Sequence, residues 1–209
     1  MNLKNKTLLA GLVISGPIAA TAQIPAGLEG YTHYFDLSLV NPPVTDVVGT
    51  VGSWSWEDSR LGDDVFWRHQ SDWIAFNLAD PANVRFEVAR HAEGDNSKFF
   101  PSFTLYSGFN DTADGAHFGN NKGNVQWETD SNELSYLMHH DNSTEASAEE
   151  TVFLPAGDYT LLLGGNAVAE ATAVNVNYTA NFTASPIPEP STSLLSLLAG
   201  LAALARRKR

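Results

Sequence analysis

The chain contains no cysteine. That absence excludes disulfide staples, thiol catalysis and any metal site built on thiolates. Basic side chains are scarce, with 12 Lys and Arg against 24 Asp and Glu. Six of the twelve sit at the two ends, at Lys4, Lys6, Arg206, Arg207, Lys208 and Arg209, where Glu189 is the one acidic residue. The body between them holds 6 basic against 23 acidic residues, a net charge of −17. Such a charge repels nucleic acid and anionic membrane surfaces. It permits cation binding and equally fits a solvated exterior. Sustained helical periodicity is missing from the body. So are a His-Glu-x-x-His pair, a Gly-x-Ser-x-Gly elbow and a phosphate-binding loop.

What is present is most distinctive at the ends. Lys4 and Lys6 precede an apolar stretch, Leu8 to Ala20, and then Ala20-Thr21-Ala22, a small-residue cleavage site. This is the form of an export signal. Gly11, Gly16 and Pro17 weaken it as a permanent span, so the mature chain is expected to begin near Gln23. At the other end Pro186-Ile187-Pro188-Glu189-Pro190-Ser191-Thr192 leads into an apolar run, Leu194 to Ala205, and closes on Arg206-Arg207-Lys208-Arg209. The prolines disfavour helix and keep their segment extended. Counted from Ser191, a helix to Ala205 would span about 22 Å at 1.5 Å per residue. That is short of the roughly 30 Å hydrocarbon core. It would be a marginal anchor whose four cations snorkel and stay cytoplasmic.

The order of these elements resembles the PEP-CTERM sorting signal of Gram-negative bacteria, over residues 186–209. The resemblance implies processing near Pro188, Glu189 and Pro190 by an exosortase-like enzyme, with the inner membrane a transient anchor. It also implies a host that makes exopolysaccharide and biofilm or floc. Three segments are therefore expected: a signal peptide at 1–22, reached by Sec-type export machinery, a folded domain at 23–184, and the sorting tail at 185–209.

Periodicity in the body is two. Val174, Val176, Tyr178, Ala180 and Phe182 alternate with Asn175, Asn177, Thr179, Asn181 and Thr183. Tyr31 to Leu39, Ile74 to Leu78, Val84 to Val88, Phe103 to Leu105, Leu134 to Met138 and Tyr159 to Leu163 behave similarly. Alternation of this kind gives half-buried antiparallel strands. About eight short strands separated by Gly, Asn, Asp and Pro predict one all-β domain, an antiparallel β-sandwich of jelly-roll type. Signal and tail helices would flank it. The segments Ser71 to Leu78, Phe103 to Tyr106 and Leu154 to Leu161, which contains Pro155-Ala156-Gly157-Asp158-Tyr159, resemble bacterial pre-peptidase C-terminal domains. That likeness covers residues 71–183, departs over Ser107 to Glu133, and implies a small β-sandwich.

Chemistry is sparser. His139-His140-Asp141 could bind metal or move protons, but neighbours on a strand point to opposite faces. Asp111 and Asp114, in Asn110-Asp111-Thr112-Ala113-Asp114-Gly115, offer oxygen ligands for calcium, as does Glu93-Gly94-Asp95-Asn96. Both are equally ordinary turn chemistry. Trp54 and Trp56 share one face of an expected strand and would stack sugar rings if exposed, or pack in the core if not. The leading expectation is a non-enzymatic surface or matrix protein that associates with extracellular polysaccharide. A calcium- or protein-binding adhesion module and a cryptic hydrolase are the alternatives.

Overall fold

The computed structural model describes residues 24–37, 45–56, 70–109, 117–118, 122–127, 133–142, 144–166 and 172–187. These residues form strands and no helix, and none of them makes a helix long and apolar enough to cross a membrane. The expected signal helix and apolar tail lie outside them. The strands in chain order are β1 (His33–Leu37), β2 (Thr45–Gly52), β3 (Asp72–Leu78), β4 (Ala82–Arg90), β5 (Pro101–Ser107), β6 (His117–Phe118), β7 (Val125–Trp127), β8 (Glu133–His140), β9 (Ser147–Leu154), β10 (Gly157–Gly165) and β11 (Asn175–Pro186). They build two sheets, ordered β1-β3-β10-β5-β8-β7-β6 and β2-β11-β4-β9.

The two sheets make a β-sandwich. Period-two residues meet in its middle: Ile74, Phe76 and Leu78 from β3, Val84, Phe86 and Val88 from β4, and Val176, Tyr178, Ala180 and Phe182 from β11. Their rings interlock, with Phe76 stacked on Tyr159 at 5.3 Å and Phe86 edge-on to Phe182 at 5.7 Å. Burying each such ring contributes about 1.5–3 kcal/mol. The alternation therefore reads out the core directly. β1 and β2 belong to this same sandwich, one in each sheet.

Three features depart from simple alternation. First, β1 pairs with β3 in parallel, His33 opposite Ile74, because the chain visits the other sheet as β2 between them. Second, the register between β5 and β8 shifts, so that Leu105 faces Met138 while Tyr106 faces Tyr136. Leu137 is the extra residue of this bulge and is exposed. A bulge reverses which face the following residues take. Met138 thus joins the core between the sheets, whereas Leu134 and Tyr136 turn outward, although all three share one phase in sequence. Third, Ser53 to Trp56 form a turn rather than a strand.

Candidate functional site

The outer face of the seven-stranded sheet carries a second, smaller core. Trp73 and Ala75 on β3, Leu162 on β10 and Tyr106 on β5 point outward, and Leu28 and Tyr31 from the preceding segment cover them with Val125 and Leu134. The covering segment is turned by Leu28 N–H to Pro25 O and Tyr31 N–H to Leu28 O, then tied to the sheet by Thr32 N–H to Trp73 O at 2.8 Å. Thr160 donates to Gly108 O at 2.7 Å, so its hydroxyl oxygen accepts from Tyr31 at 2.8 Å. This face is therefore bipartite, with a packed centre and an open margin.

The margin holds the candidate site. Asp36 on β1, Asn77 on β3 and Asp158 on β10 stand opposite one another in register, one row across three adjacent strands. One pleat away, Tyr34 lies beside Phe109, ring centroids 6.1 Å apart and edge to face. Tyr34 donates to Asp36 Oδ1 at 2.9 Å, and Asn77 Nδ2 donates to Asp158 Oδ1 at 2.6 Å. Each carboxylate keeps its second oxygen for a ligand. Burial pushes the Tyr34 phenol up to about 12, helped by its hydrogen bond to Asp36 and by the charges of Asp36 and Asp158. The phenol stays protonated, and two partly buried rings sit beside the row of carboxylate and amide groups.

Trp54 and Trp56, which the sequence offered as a surface for sugar rings, are not at the surface. Trp56 is fully buried and Trp54 is 6% exposed, so neither offers a face to a sugar. The turn that carries them is pinned by Ser53 N–H to Val174 O at 2.8 Å, Trp56 N–H to Gly165 O at 3.0 Å and Ser71 Oγ to Ser55 O at 2.8 Å. Trp56 Nε1 donates to Thr104 Oγ1 at 3.0 Å, and the Lys122 ammonium lies 5.7 Å from the indole centre. Of the two possibilities the sequence offered for Trp54 and Trp56, their burial favours packing. Tyr34 and Asp36 are among the alternating neighbours of that strand, and the sequence did not single them out as candidates. Nothing in it marked Phe109, which enters from a loop.

His139 and His140 end β8 and point to opposite faces. The ring of His140 stacks on Phe103 and bonds Glu150 Oε1 at 2.8 Å, while His139 meets the Tyr136 hydroxyl at 2.7 Å. The pair is anchored in the strand rather than in a solvated loop. In the Glu93–Asn96 loop, Asn96 is buried, donating to His91 O and Glu93 O and accepting from Asn177 N–H at 2.8 Å. Asp95 accepts from Ser97 Oγ and N–H, which lowers its pKa. That loop is turn chemistry. Among the described residues, no three or more His, Asp or Glu come together as a metal cluster. Asp111 and Asp114 lie outside them.

The processing residues Pro188, Glu189 and Pro190 and the basic residues Arg206, Arg207, Lys208 and Arg209 also lie outside the described residues. Their approach is visible, however. The last pairs of β11 set Ser185 opposite Asn83 and Pro186 opposite Ala82, and Ser185 Oγ donates to Asn83 O at 3.2 Å. The tail therefore starts directly from a paired strand.

The model of the PEP-CTERM protein-sorting motif matches residues 186–209. No curated protein sequence matches the chain. Among solved structures, CorA of Methylomicrobium album BG8, a surface-associated copper-binding protein, aligns with a TM-score of 0.51 at 13% identity, covering 73% of this chain and 98% of its own. The pre-peptidase C-terminal domain of a Bacillus anthracis collagenase aligns at 0.37 and 13% identity, over 72% of this chain and 94% of that one. Methylococcus capsulatus MopE, a secreted protein, aligns at 0.46 and 12% identity, over 71% of this chain and 86% of that one. The likeness to CorA shows the fold, a β-sandwich. Residues 186–209 carry a PEP-CTERM protein-sorting motif, which implies export to the cell surface or exterior by exosortase-mediated sorting.

Proposed function

We propose that this is a non-enzymatic component of the cell surface or extracellular matrix, which associates with extracellular polysaccharide through the open margin of the seven-stranded sheet. The observation that carries this reading is the Tyr34–Phe109 ring pair beside the Asp36–Asn77–Asp158 row. A sugar's apolar face matches an aromatic ring, and its hydroxyls supply the donors that a row of acceptors needs.

The route to that setting follows from the two ends. Residues 1–22 act as a cleaved signal for Sec-type export, 23–184 fold outside the inner membrane, and Leu194 to Ala205 anchor the chain there briefly. Cleavage near Pro188-Glu189-Pro190 then ends the anchored stage. The exopolysaccharide or biofilm context comes with the motif. Asp111 and Asp114 remain the ligands that the sequence offers to calcium. Such a site would raise Tm at near-millimolar calcium, and the double change to Asn would remove the rise.

Retention of the exported protein on the host's own exopolysaccharide tests the main reading. Tyr34→Ala with Phe109→Ala should release the protein while it remains folded at the assay temperature, with some loss of Tm because both rings also pack on the second core. Retention equal to wild type would overturn the site. Intact mass of the exported form tests the route, which requires a product from near Gln23 to near Pro188–Ser191.

A further inference from the structure

At the pole where β11 ends, the open face of the four-stranded sheet carries an exposed aromatic ring beside polar neighbours. Further up, that face shows Glu149 and Thr151 on β9 and Arg85 and Glu87 on β4, with Arg85 bonded to Glu149. At its last row Ser185, Asn83 and Phe153 stand side by side, and Phe153 is 53% exposed. Pro81, Pro155 and Ile187 continue the exposed edge beyond it. A phenyl ring half in water beside prolines is a surface suited to being covered.

What covers it is set by how the chain leaves. Ile187 is seven residues ahead of Leu194, a stretch that spans at most about 25 Å when extended. The pole is therefore held close to the bilayer for as long as the tail is anchored. The constraint on processing is tighter. Pro188 lies two residues past Pro186, which is paired with Ala82. Those two residues span at most about 7 Å. Any enzyme that encloses Pro188-Glu189-Pro190 must touch this corner of the sandwich. Lipid is a poor alternative occupant, because Asp80 on the β3–β4 turn and Asp36 and Asp158 on the neighbouring sheet give the same pole an acidic rim.

We infer that the corner formed by Phe153, Asn83, Pro81 and Pro155 is a docking surface for the membrane-embedded sorting enzyme that processes the tail. This rests on the sorting reading above. Buried aromatic anchors dominate such contacts, so Phe153 is the residue to change. Pulse-chase in the native host would follow conversion of precursor to shortened product. Phe153→Ser should slow conversion several-fold at unchanged Tm. Leu137→Ser, which removes an exposed side chain on the other sheet, should leave the rate alone. Asn83→Asp, which puts a charge at the centre of the corner, should slow conversion as well. Wild-type rates in both corner variants would overturn the inference. In a strain lacking the enzyme, wild type and Phe153→Ser should sediment equally with membranes. Loss of the variant there would assign the ring to lipid instead and overturn it too. A wild-type precursor that never shortens would overturn the sorting reading itself, and this inference with it.

Discussion

Tyr178, on an inner strand of the four-stranded sheet, donates its phenolic hydrogen to Asp72 Oδ2 of the opposite sheet at 2.7 Å. The two side chains are buried, and Gly49 leaves them room. A Cβ at position 49 would stand 2.6 Å from both the carboxylate oxygen and the Tyr178 ring. The bond is a polar pin through an otherwise apolar layer. Tyr178→Phe keeps the ring and strips the carboxylate of its donor. We expect a loss of about 1–3 kcal/mol, the range for a buried group left unsatisfied, read by urea denaturation.

Burial raises the pKa of Asp72, against the opposing effects of the Tyr178 hydrogen bond and the charge of His33. The folded state therefore holds this proton more tightly than the unfolded chain does. Its contribution to stability is fully present below the unfolded pKa near 3.8 and is lost as pH rises through the folded value. Asp72→Asn should accordingly gain stability relative to wild type as pH rises, and the difference should shrink as pH falls toward the unfolded 3.8. Burial lowers the pKa of His33, which works the other way, its contribution being lost as pH falls below its unfolded 6.5. The comparison is cleanest on the alkaline side. Parallel denaturation curves across pH would check it, and a gap that widens on acidification would contradict it.

Trp56 fills a site beside Thr104 and has no exposed surface. Trp56→Ala should destabilise the sandwich by about 3–5 kcal/mol, as large-to-small core changes do. Any loss of polysaccharide retention should track the unfolded fraction. A stable variant that loses retention would restore the indole as a ligand contact.

Gly165, in the last pair of β10 with β5, packs directly on backbone. A Cβ there would lie 2.5 Å from Ser53 O and 2.6 Å from its carbonyl carbon. No side-chain rotation relieves that overlap. Gly165→Ala should cost about 1–3 kcal/mol as an overpacking change, measurable as a lower urea midpoint.

Much of the sandwich was legible because burial on one face imposes period two, and β3, β4, β10 and β11 obey it. β9 was harder to see. Its outward row, Glu149, Thr151 and Phe153, mixes charge with an aromatic, while its inward row includes Glu150. The bulge at Leu137 was hidden for another reason, since Leu134, Tyr136 and Met138 fit a single phase equally well. The tryptophans misled because Trp54 and Trp56 satisfy period two by accident, in a turn whose burial depends on partners more than a hundred residues away. Val174 and Gly165 are two of these. The Tyr34–Phe109 pair depends on a loop meeting a distant strand, a contact that no local pattern encodes. The sorting tail was plain for the opposite reason. Its chemistry is written in consecutive residues and needs no tertiary partner.

β11 is the last strand in the chain, yet it is an inner strand of its sheet, hydrogen-bonded to β2 on one side and β4 on the other. Until residues 175–186 are available, those two strands lack their common neighbour and the layer facing Phe76 is incomplete. Order in time follows from order in space. A chain threaded N-terminus first must cross almost entirely before the sandwich can close, and the apolar run from Leu194 follows only a few residues behind the closing strand. Non-local pairing of this kind is intrinsically slow. On the proposed export route, the sandwich would close only after nearly the whole chain had crossed, as its tail reached the bilayer.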